Sequence, residues 1–549
     1  MKGVFAAENA GDFPALKSSV GMTALLGTAF ATLYAAGMPG YDVPGLPFVC
    51  LVPLLILSTT SANARQAARR GFFAGTLANL FLFYWIAYTV AVLGNLGWLL
   101  GSGAALIVSA YLGVYVSLAA MVAHRLRRRF GMAGLWGFPA AWVCVEYGRS
   151  VLFTGFPWML LGYGLSGYSL LRQAADLAGV FGLGFLLATV NVCLYMAAAR
   201  IVHGNGKGVL FPIAGATAVV GILFAYGVAK VPEDRSGHPD PALRVAIAQG
   251  AIDQSVKWDP DNQKSTLDIY GALTREAADK GAKVVVWPET AAPFFYGWEP
   301  EMSAVVDAVA YENHVPIIFG APWFDPSAGG KYYNSVFLLG KKGIAEGRYD
   351  KRHLVPFGEY IPLRHILFFL RKLTKGEEDF SAGKDPALFV VGGEPVGASV
   401  CYEAVFPGIL RDSVREGARW LVNVTNDSWF GDTVAPYQHL AMARMRSVEL
   451  RRPMVRAANA GVSAVIDERG EVVAELGLFR KGILMATIHP RGGETLYAKT
   501  GDIFAISCTI ITFLLLMISG RGTHGRRNSG GKNRLDGIPL RRSSGLSLR

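Results

Sequence analysis

Eight apolar stretches bracket one polar segment of about 250 residues, and that layout excludes any wholly soluble fold. The stretches run over about 21–38, 44–60, 71–94, 97–123, 131–148, 177–199, 208–229 and 503–519. A spanning helix needs roughly 20 mainly apolar residues, with a range of about 17–25, so each qualifies, four of them at the short end. For the first stretch the alternative is a cleaved signal peptide, since Lys2 and Lys17 precede it and Ala35-Ala36-Gly37 follows. Such a peptide normally has a shorter apolar region nearer the start. The composition agrees with a membrane protein: 52% of the 549 residues are hydrophobic and 17% charged, against about 25% charged in soluble domains.

The basic residues fix an expected orientation, because Lys and Arg collect in cytoplasmic loops. Arg65, Arg69 and Arg70 follow the second stretch, Arg125, Arg127, Arg128 and Arg129 the fourth, and Arg200 and Lys207 the sixth. Arg521, Arg526, Arg527, Lys532, Arg534, Arg541 and Arg542 follow the eighth. With eight helices counted, every cluster falls on one side. Both termini are then expected in the cytoplasm and residues 230–502 outside. The formal charge of +12 reflects this topology rather than nucleic-acid binding. The Gly/Ser/Arg-rich tail is expected to be disordered and to touch anionic lipid.

Between about 241 and 492 the texture becomes that of an α/β domain. Leu243–Gln249, Val284–Trp287, Pro316–Gly320, Val396–Cys401, Trp420–Val424, Met454–Ala457 and Val462–Ile466 read as strands. Leu267, Tyr270, Leu273 and Ala277 recur at helical spacing, as do Phe406, Leu410 and Val414. Segments 333–340 and 344–349 flank Lys341-Lys342-Gly343 as a hairpin.

Three segments carry the candidate chemistry. Cys401 ends an apolar strand and precedes a helical stretch, a turn that can bring a thiolate near backbone N–H groups and a helix N-terminus. Glu289, in Trp287-Pro288-Glu289-Thr290, follows a buried strand where ligand sites collect, and a carboxylate there can take a thiol proton. Lys351 lies in Tyr349-Asp350-Lys351-Arg352-His353, and an ammonium near a cysteine lowers its pKa and stabilises an oxyanion. Cys50, Cys144, Cys193 and Cys508 lie in apolar stretches, where cysteine usually behaves as a small hydrophobe. There is no CxxC pattern, and His353, His365 and His439 lack ligand spacing, so no metal cofactor is expected.

Glu289, Lys351 and Cys401, in that order, resemble the carbon–nitrogen hydrolase (nitrilase) superfamily across 241–492. The resemblance includes Tyr333-Asn334-Ser335-Val336 and Asn423-Val424-Thr425-Asn426-Asp427-Ser428-Trp429-Phe430-Gly431. Joined to the eight apolar stretches, the whole chain is similar to the apolipoprotein N-acyltransferase family of Gram-negative-type bacteria. Further matches are Gln249-Gly250 followed by Lys257-Trp258, Thr154-Gly155-Phe156-Pro157-Trp158, and the run from Gln438-His439 to Met445-Arg446. The resemblance implies a polytopic α-helical membrane domain of about eight transmembrane helices plus an extracytoplasmic nitrilase-like α-β-β-α sandwich. Residues 1–230 would form the membrane domain, 231–500 the catalytic domain, 501–520 the eighth helix and 521–549 the tail. The setting would be a bacterial inner membrane, with the catalytic domain periplasmic.

The resemblance also implies a mechanism. Glu289 would be the general base, Cys401 the nucleophile and Lys351, with the backbone N–H after Cys401, the oxyanion holder. The donor would be a phospholipid, phosphatidylethanolamine for preference, and the acceptor the N-terminal amine of a diacylglyceryl-modified apolipoprotein. Glu359 and Glu403 match positions expected to place Lys351 and the amine; Tyr402 and Trp258 would shape the pocket. Apolar and basic residues alternate over 361–375 as in an interfacial arm, and Phe294, Phe295, Tyr296 and Trp298 suggest an aromatic rim. Glu146 and Arg149 suggest an intramembrane pair or a headgroup contact. Two readings compete: a membrane-tethered amidase or nitrilase using the same triad, and a non-enzymatic scaffold or transporter. The near absence of charge within the spans disfavours a transporter.

Overall fold

The computed structural model describes residues 19–233, 242–327, 329–362 and 379–521. The N-terminal part is helical: α1 (Val20–Ala36), α2 (Val52–Thr59), α3 (Ala64–Leu82), α4 (Trp85–Tyr88), α5 (Gly97–Phe130), α6 (Phe138–Val151), α7 (Ala175–Val202) and α8 (Leu210–Glu233). Among the described residues, Gly97–Thr154, Leu171–Val202, Gly206–Val231 and Ile503–Gly520 are long and apolar enough to cross a membrane. Ala64–Leu82 with Trp85–Leu93 makes a fifth if counted as one span, bent by 58°. The first two apolar stretches form shorter helices, Val20–Ala36 and Leu46–Thr59. Gly97–Thr154 contains both the fourth and the fifth expected stretches. Gly131, at φ 67°, breaks the run, and α5 and α6 pack against each other. Lipid offers no hydrophobic drive for helix pairing, so small residues that permit close approach decide it. Gly71 and Gly75 of α3 accordingly meet Ala120 and Val116 of α5, and Gly113 meets Thr76.

The polar segment forms β1 (Leu243–Gln249), α9 (Pro260–Asp279), β2 (Val284–Val286), α10 (Pro300–Glu312), β3 (Ile317–Asp325), β4 (Lys331–Leu339), β5 (Ala345–Asp350), β6 (Leu388–Val391) and β7 (Glu394–Val400). Then follow α11 (Pro407–Arg415), β8 (Trp420–Thr425), α12 (Ala435–Leu450), β9 (Met454–Ala458), β10 (Ser463–Ile466), β11 (Val472–Leu476), β12 (Gly482–Ile488), α13 (Leu496–Thr500) and α14 (Ile503–Arg521). Two six-stranded sheets result, ordered β12-β1-β2-β3-β4-β5 and β11-β10-β9-β8-β7-β6. Val245, Ile247, Val284 and Val286 of the first face Val396, Ala398, Val422 and Val455 of the second across a shared core. The outer face of the first sheet is covered by α9 and α10, that of the second by α11 and α12. This is an α-β-β-α sandwich.

Helix α12 joins the sandwich to the membrane helices. Leu440, Ala443 and Leu450 pack on the second sheet, while Met442, Met445 and Val448 enter the membrane-domain core. A helix buried on all sides needs partners for its charges. Arg446 and Glu449 pair at 2.9 Å with both side chains fully buried, and Arg446 also donates to the Tyr163 hydroxyl at 3.2 Å. Glu449 in turn accepts the Val180 N–H at 2.9 Å, where α7 restarts after its break at Ala178 and Gly179. That N–H would otherwise be orphaned. Breaking a buried pair costs about 3–5 kcal/mol. Replacing Glu449 should cost more than replacing Arg446, because a guanidinium cannot shed its charge whereas a carboxyl takes up a proton. E449L is therefore expected to lower the thermal midpoint in detergent further than R446M.

Candidate active site

The site forms at one end of the sandwich, where parallel strands deliver their C-terminal residues together. Strands β1, β2 and β3 are parallel, β5 runs with them through two antiparallel pairings, and β7 is parallel to β8. Lys257 follows β1, Glu289 follows β2, Lys351 follows β5, Cys401 follows β7 and Asp427 follows β8. Glu289 is held close to β3: a Cβ on Gly320 would lie 2.6 Å from the Thr290 nitrogen and 2.8 Å from the Glu289 Cα. Only glycine permits that approach.

A buried charge cluster surrounds Lys351. Its ammonium lies 3.0 and 2.9 Å from the two oxygens of Glu359 and 3.9 Å from Glu289. Asn334 Nδ2 bridges the two carboxylates, donating to Glu289 at 2.8 Å and Glu359 at 2.9 Å. Glu359 is itself fixed by the Val355 N–H at 2.8 Å. Burial disfavours the Lys351 charge, but Glu359 and Glu289 outweigh it and hold the pKa above its ordinary value.

Cys401 opens onto the same space. Burial, reinforced by Glu289 and opposed by Lys351, pushes its thiol up to about 12, so at neutral pH it rests as a thiol and needs a base. Its backbone is left-handed, φ 50°, a conformation costing a non-glycine residue about 1–3 kcal/mol unless its surroundings enforce it. Two groups grip its carbonyl oxygen. Asn423 Nδ2 donates at 3.4 Å, and His439 Nε2, 3.1 Å away, carries its proton because a carbonyl only accepts. His439 Nδ1 lies against Asp427 at 3.0 Å and Arg456 at 3.2 Å. Arg456 also donates to Asp427 and to Asn423, both at 2.6 Å. Although burial raises the Asp427 pKa, Arg456 and His439 bring it down to about 2.

Of the remaining expected site residues, Glu359 joins the cluster directly. Glu403 is fully buried and spends its oxygens on Tyr349 Oη (2.9 Å) and the N–H groups of Arg352 (2.6 Å), His353 (3.0 Å) and Val400 (2.7 Å). It ties the Lys351 loop to the Cys401 turn. Tyr402 faces the membrane domain: it stacks on Trp158 at 6.2 Å and donates to the Gly155 carbonyl at 3.3 Å. Trp158 also contacts His439 at 5.3 Å and donates to Gln438 at 2.8 Å. Trp258 is half-buried and, among the described residues, makes no hydrogen bond or ring contact with the cluster.

Two sequence expectations change. The aromatic rim is in part core: Phe294 and Tyr296 are buried, Tyr296 packing on Phe319 and Phe337, and of the four only Trp298 is exposed. Sheet burial outweighs interfacial exposure for these rings. Glu146 and Arg149 each grip the loop after α6 rather than one another. Glu146 accepts the Leu161 N–H at 2.7 Å, and Arg149 donates to the carbonyls of Trp158 (3.1 Å) and Met159 (2.9 Å). The 361–375 arm lies almost wholly outside the described residues, as does the tail. Lys257, Asn334, Asp427, His439 and Arg456 had only motif membership, or nothing, to mark them. Among the described residues no group of His, Cys, Asp and Glu is arranged to hold a metal ion.

The carbon-nitrogen hydrolase family model matches residues 244–496, and that of the apolipoprotein N-acyltransferase N-terminal domain matches 30–193. An apolipoprotein N-acyltransferase of Geobacter metallireducens is 39% identical over 491 residues, covering 88% of this chain and 92% of the relative. Its counterpart in Methylococcus capsulatus is 40% identical over 66% of this chain and 70% of the relative. That of Pasteurella multocida is 32% identical over 89% and 93%. With two of these relatives matched over more than nine-tenths of their length, the chain belongs to the apolipoprotein N-acyltransferase family.

Proposed function

We propose that this acyltransferase works through a Cys401 thioester, with Glu289 as general base and Lys351 as oxyanion holder. The observation that carries the reading is the convergence of Glu289, Lys351 and the left-handed Cys401 turn in one buried space beside the membrane helices. Glu289 takes the Sγ proton, and the thiolate attacks an ester carbonyl of the phospholipid. The carbonyl electron pair moves to oxygen, where Lys351 and the backbone N–H after Cys401 face it. The C–O bond then breaks, Glu289 returns its proton to the departing lysophospholipid oxygen, and the acyl chain stays on sulfur. In the second half the apolipoprotein α-amine attacks the thioester, Glu289 takes the amine proton, and sulfur leaves to recover it. Splitting one hard transfer into two steps is the gain of covalent catalysis.

The donor we favour is phosphatidylethanolamine. The membrane arrangement we favour is eight spans, obtained by counting α1, α2, α3 with α4, α5, α6, α7, α8 and α14 separately. The basic loops then support cytoplasmic termini and a periplasmic sandwich. In that arrangement residues 1–230, 231–500, 501–520 and 521–549 are the membrane domain, catalytic domain, last span and cytoplasmic tail.

Incubating purified protein with phosphatidylethanolamine and no acceptor should add the mass of one acyl chain, mapping to the Cys401 peptide and labile to hydroxylamine. C401A should gain nothing; an adduct elsewhere, or none on folded protein, sinks the thioester. E289Q should slow adduct formation about 10²–10⁴-fold, the usual contribution of a general base. Alkaline phosphatase fused after Val231 should be active in cells and inactive when fused after Gly520, and the reverse pattern would invert the topology.

A further inference from the structure

Lys257 is a buried titratable group that the steps above leave unused. It follows β1, its side chain is almost wholly enclosed, and its ammonium donates to the Glu289 backbone carbonyl at 2.9 Å. Among the described residues this is the one hydrogen bond its ammonium makes. Lys351 differs sharply, having both oxygens of Glu359 and one of Glu289 around it. A buried ammonium with one neutral acceptor is poorly compensated for its lost water.

The charge balance says what could compensate it. Glu289, Glu359, Glu403 and Asp427 stand against Lys351, Lys257 and Arg456. The ionised pocket therefore carries one negative charge with Lys257 and two without it. A Cys401 thiolate adds another, as does the oxyanion of a tetrahedral intermediate. In a buried site that screens charge poorly, the presence or absence of one nearby cation weighs heavily on whether the thiolate forms.

We propose that Lys257 is a positioning residue for the acyl transfer, holding the Glu289 main chain and supplying the positive field that the Cys401 thiolate and the oxyanion require. Burial pulls its pKa to about 8, with Glu289 and Cys401 opposing. The cation is thus held at a disadvantage in the resting enzyme and is relieved as negative charge develops at Cys401. An interaction stronger in the transition state than in the ground state is what accelerates a reaction. The inference rests on Cys401 being the nucleophile.

The test uses the full-length protein in detergent with phosphatidylethanolamine, from about pH 6 to about pH 9.5. Acyl-enzyme formation is followed by intact mass, and Cys401 alkylation by iodoacetamide is mapped in the same buffers. The wild type should lose acylation rate above about pH 8 as Lys257 gives up its proton. K257M should form the adduct about 100-fold more slowly, the order seen when one oxyanion donor is lost. Its lipid half-saturation should stay within about twofold, and its alkylation profile should move to higher pH. K257R, charged throughout, should acylate within about tenfold of wild type and lose the alkaline fall. The proposal is overturned if K257M acylates at the wild-type rate, or is slowed while its alkylation profile stays put. If K257M does not fold, an alkaline fall unchanged in K257R overturns it as well. A wild type that forms no Cys401 adduct would instead remove the thioester reading beneath it.

Discussion

The site depends on burying a lysine between two glutamates. Lys351 is enclosed at the end of β5, and it stays charged there because Glu359 surrounds its ammonium and Glu289 stands at 3.9 Å. Asn334 ties the carboxylates together, so neither can turn away. Remove the cation and two like charges are left sharing one donor in a medium that screens them poorly. The same cluster has a cost for Cys401, since Glu289, which helps to steady Lys351, also disfavours a thiolate beside it. In the proposed mechanism the base beside the sulfur is also a group that resists an anion there.

A second layer of order comes from the membrane side. The loop after α6 is pinned by Glu146 and Arg149 through main-chain hydrogen bonds and sets Trp158 under both Tyr402 and His439. Gly155, at φ 85°, brings its carbonyl to the Tyr402 hydroxyl; a Cβ there would sit 2.1 Å from the Ser150 carbonyl oxygen. The Cys401 carbonyl is gripped from the sandwich side by Asn423 and His439. Main-chain geometry at Cys401 is thus set by contacts from both halves of the molecule.

How much of this the chain announces varies with distance along it. Cys401 and Glu289 are legible because each follows a short apolar run ended by polar residues, a local pattern. The hairpin of β4 and β5 is legible from the Lys341-Lys342-Gly343 turn between its strands, and Lys351, after the polar strand β5, only from its place beyond that hairpin and its motif. Strand β11 is not, since its alternating half-exposed residues lack the apolar density of β1 or β8, while β12 is as apolar as β1 but only half-buried along most of its length. That β12 pairs with β1, joining Ile488 to Leu243, is a long-range fact with no local sign. His439, Arg456 and Asp427 act through one another and through partners 12 to 38 residues away. Phe294 and Tyr296 mislead because an aromatic run suits an interface and a sheet core equally well.

Helix α12 has one further consequence. One flank belongs to the sandwich core and the other to the membrane core, with a buried ion pair between them. The two regions that sequence divides near residue 230 therefore share a wall. Cutting the chain there would strip Met442, Met445 and Val448 of their packing and leave Glu449 without the Val180 amide. The sandwich is not a detachable module carried by an anchor: apolar helices and sheets form one continuous solid.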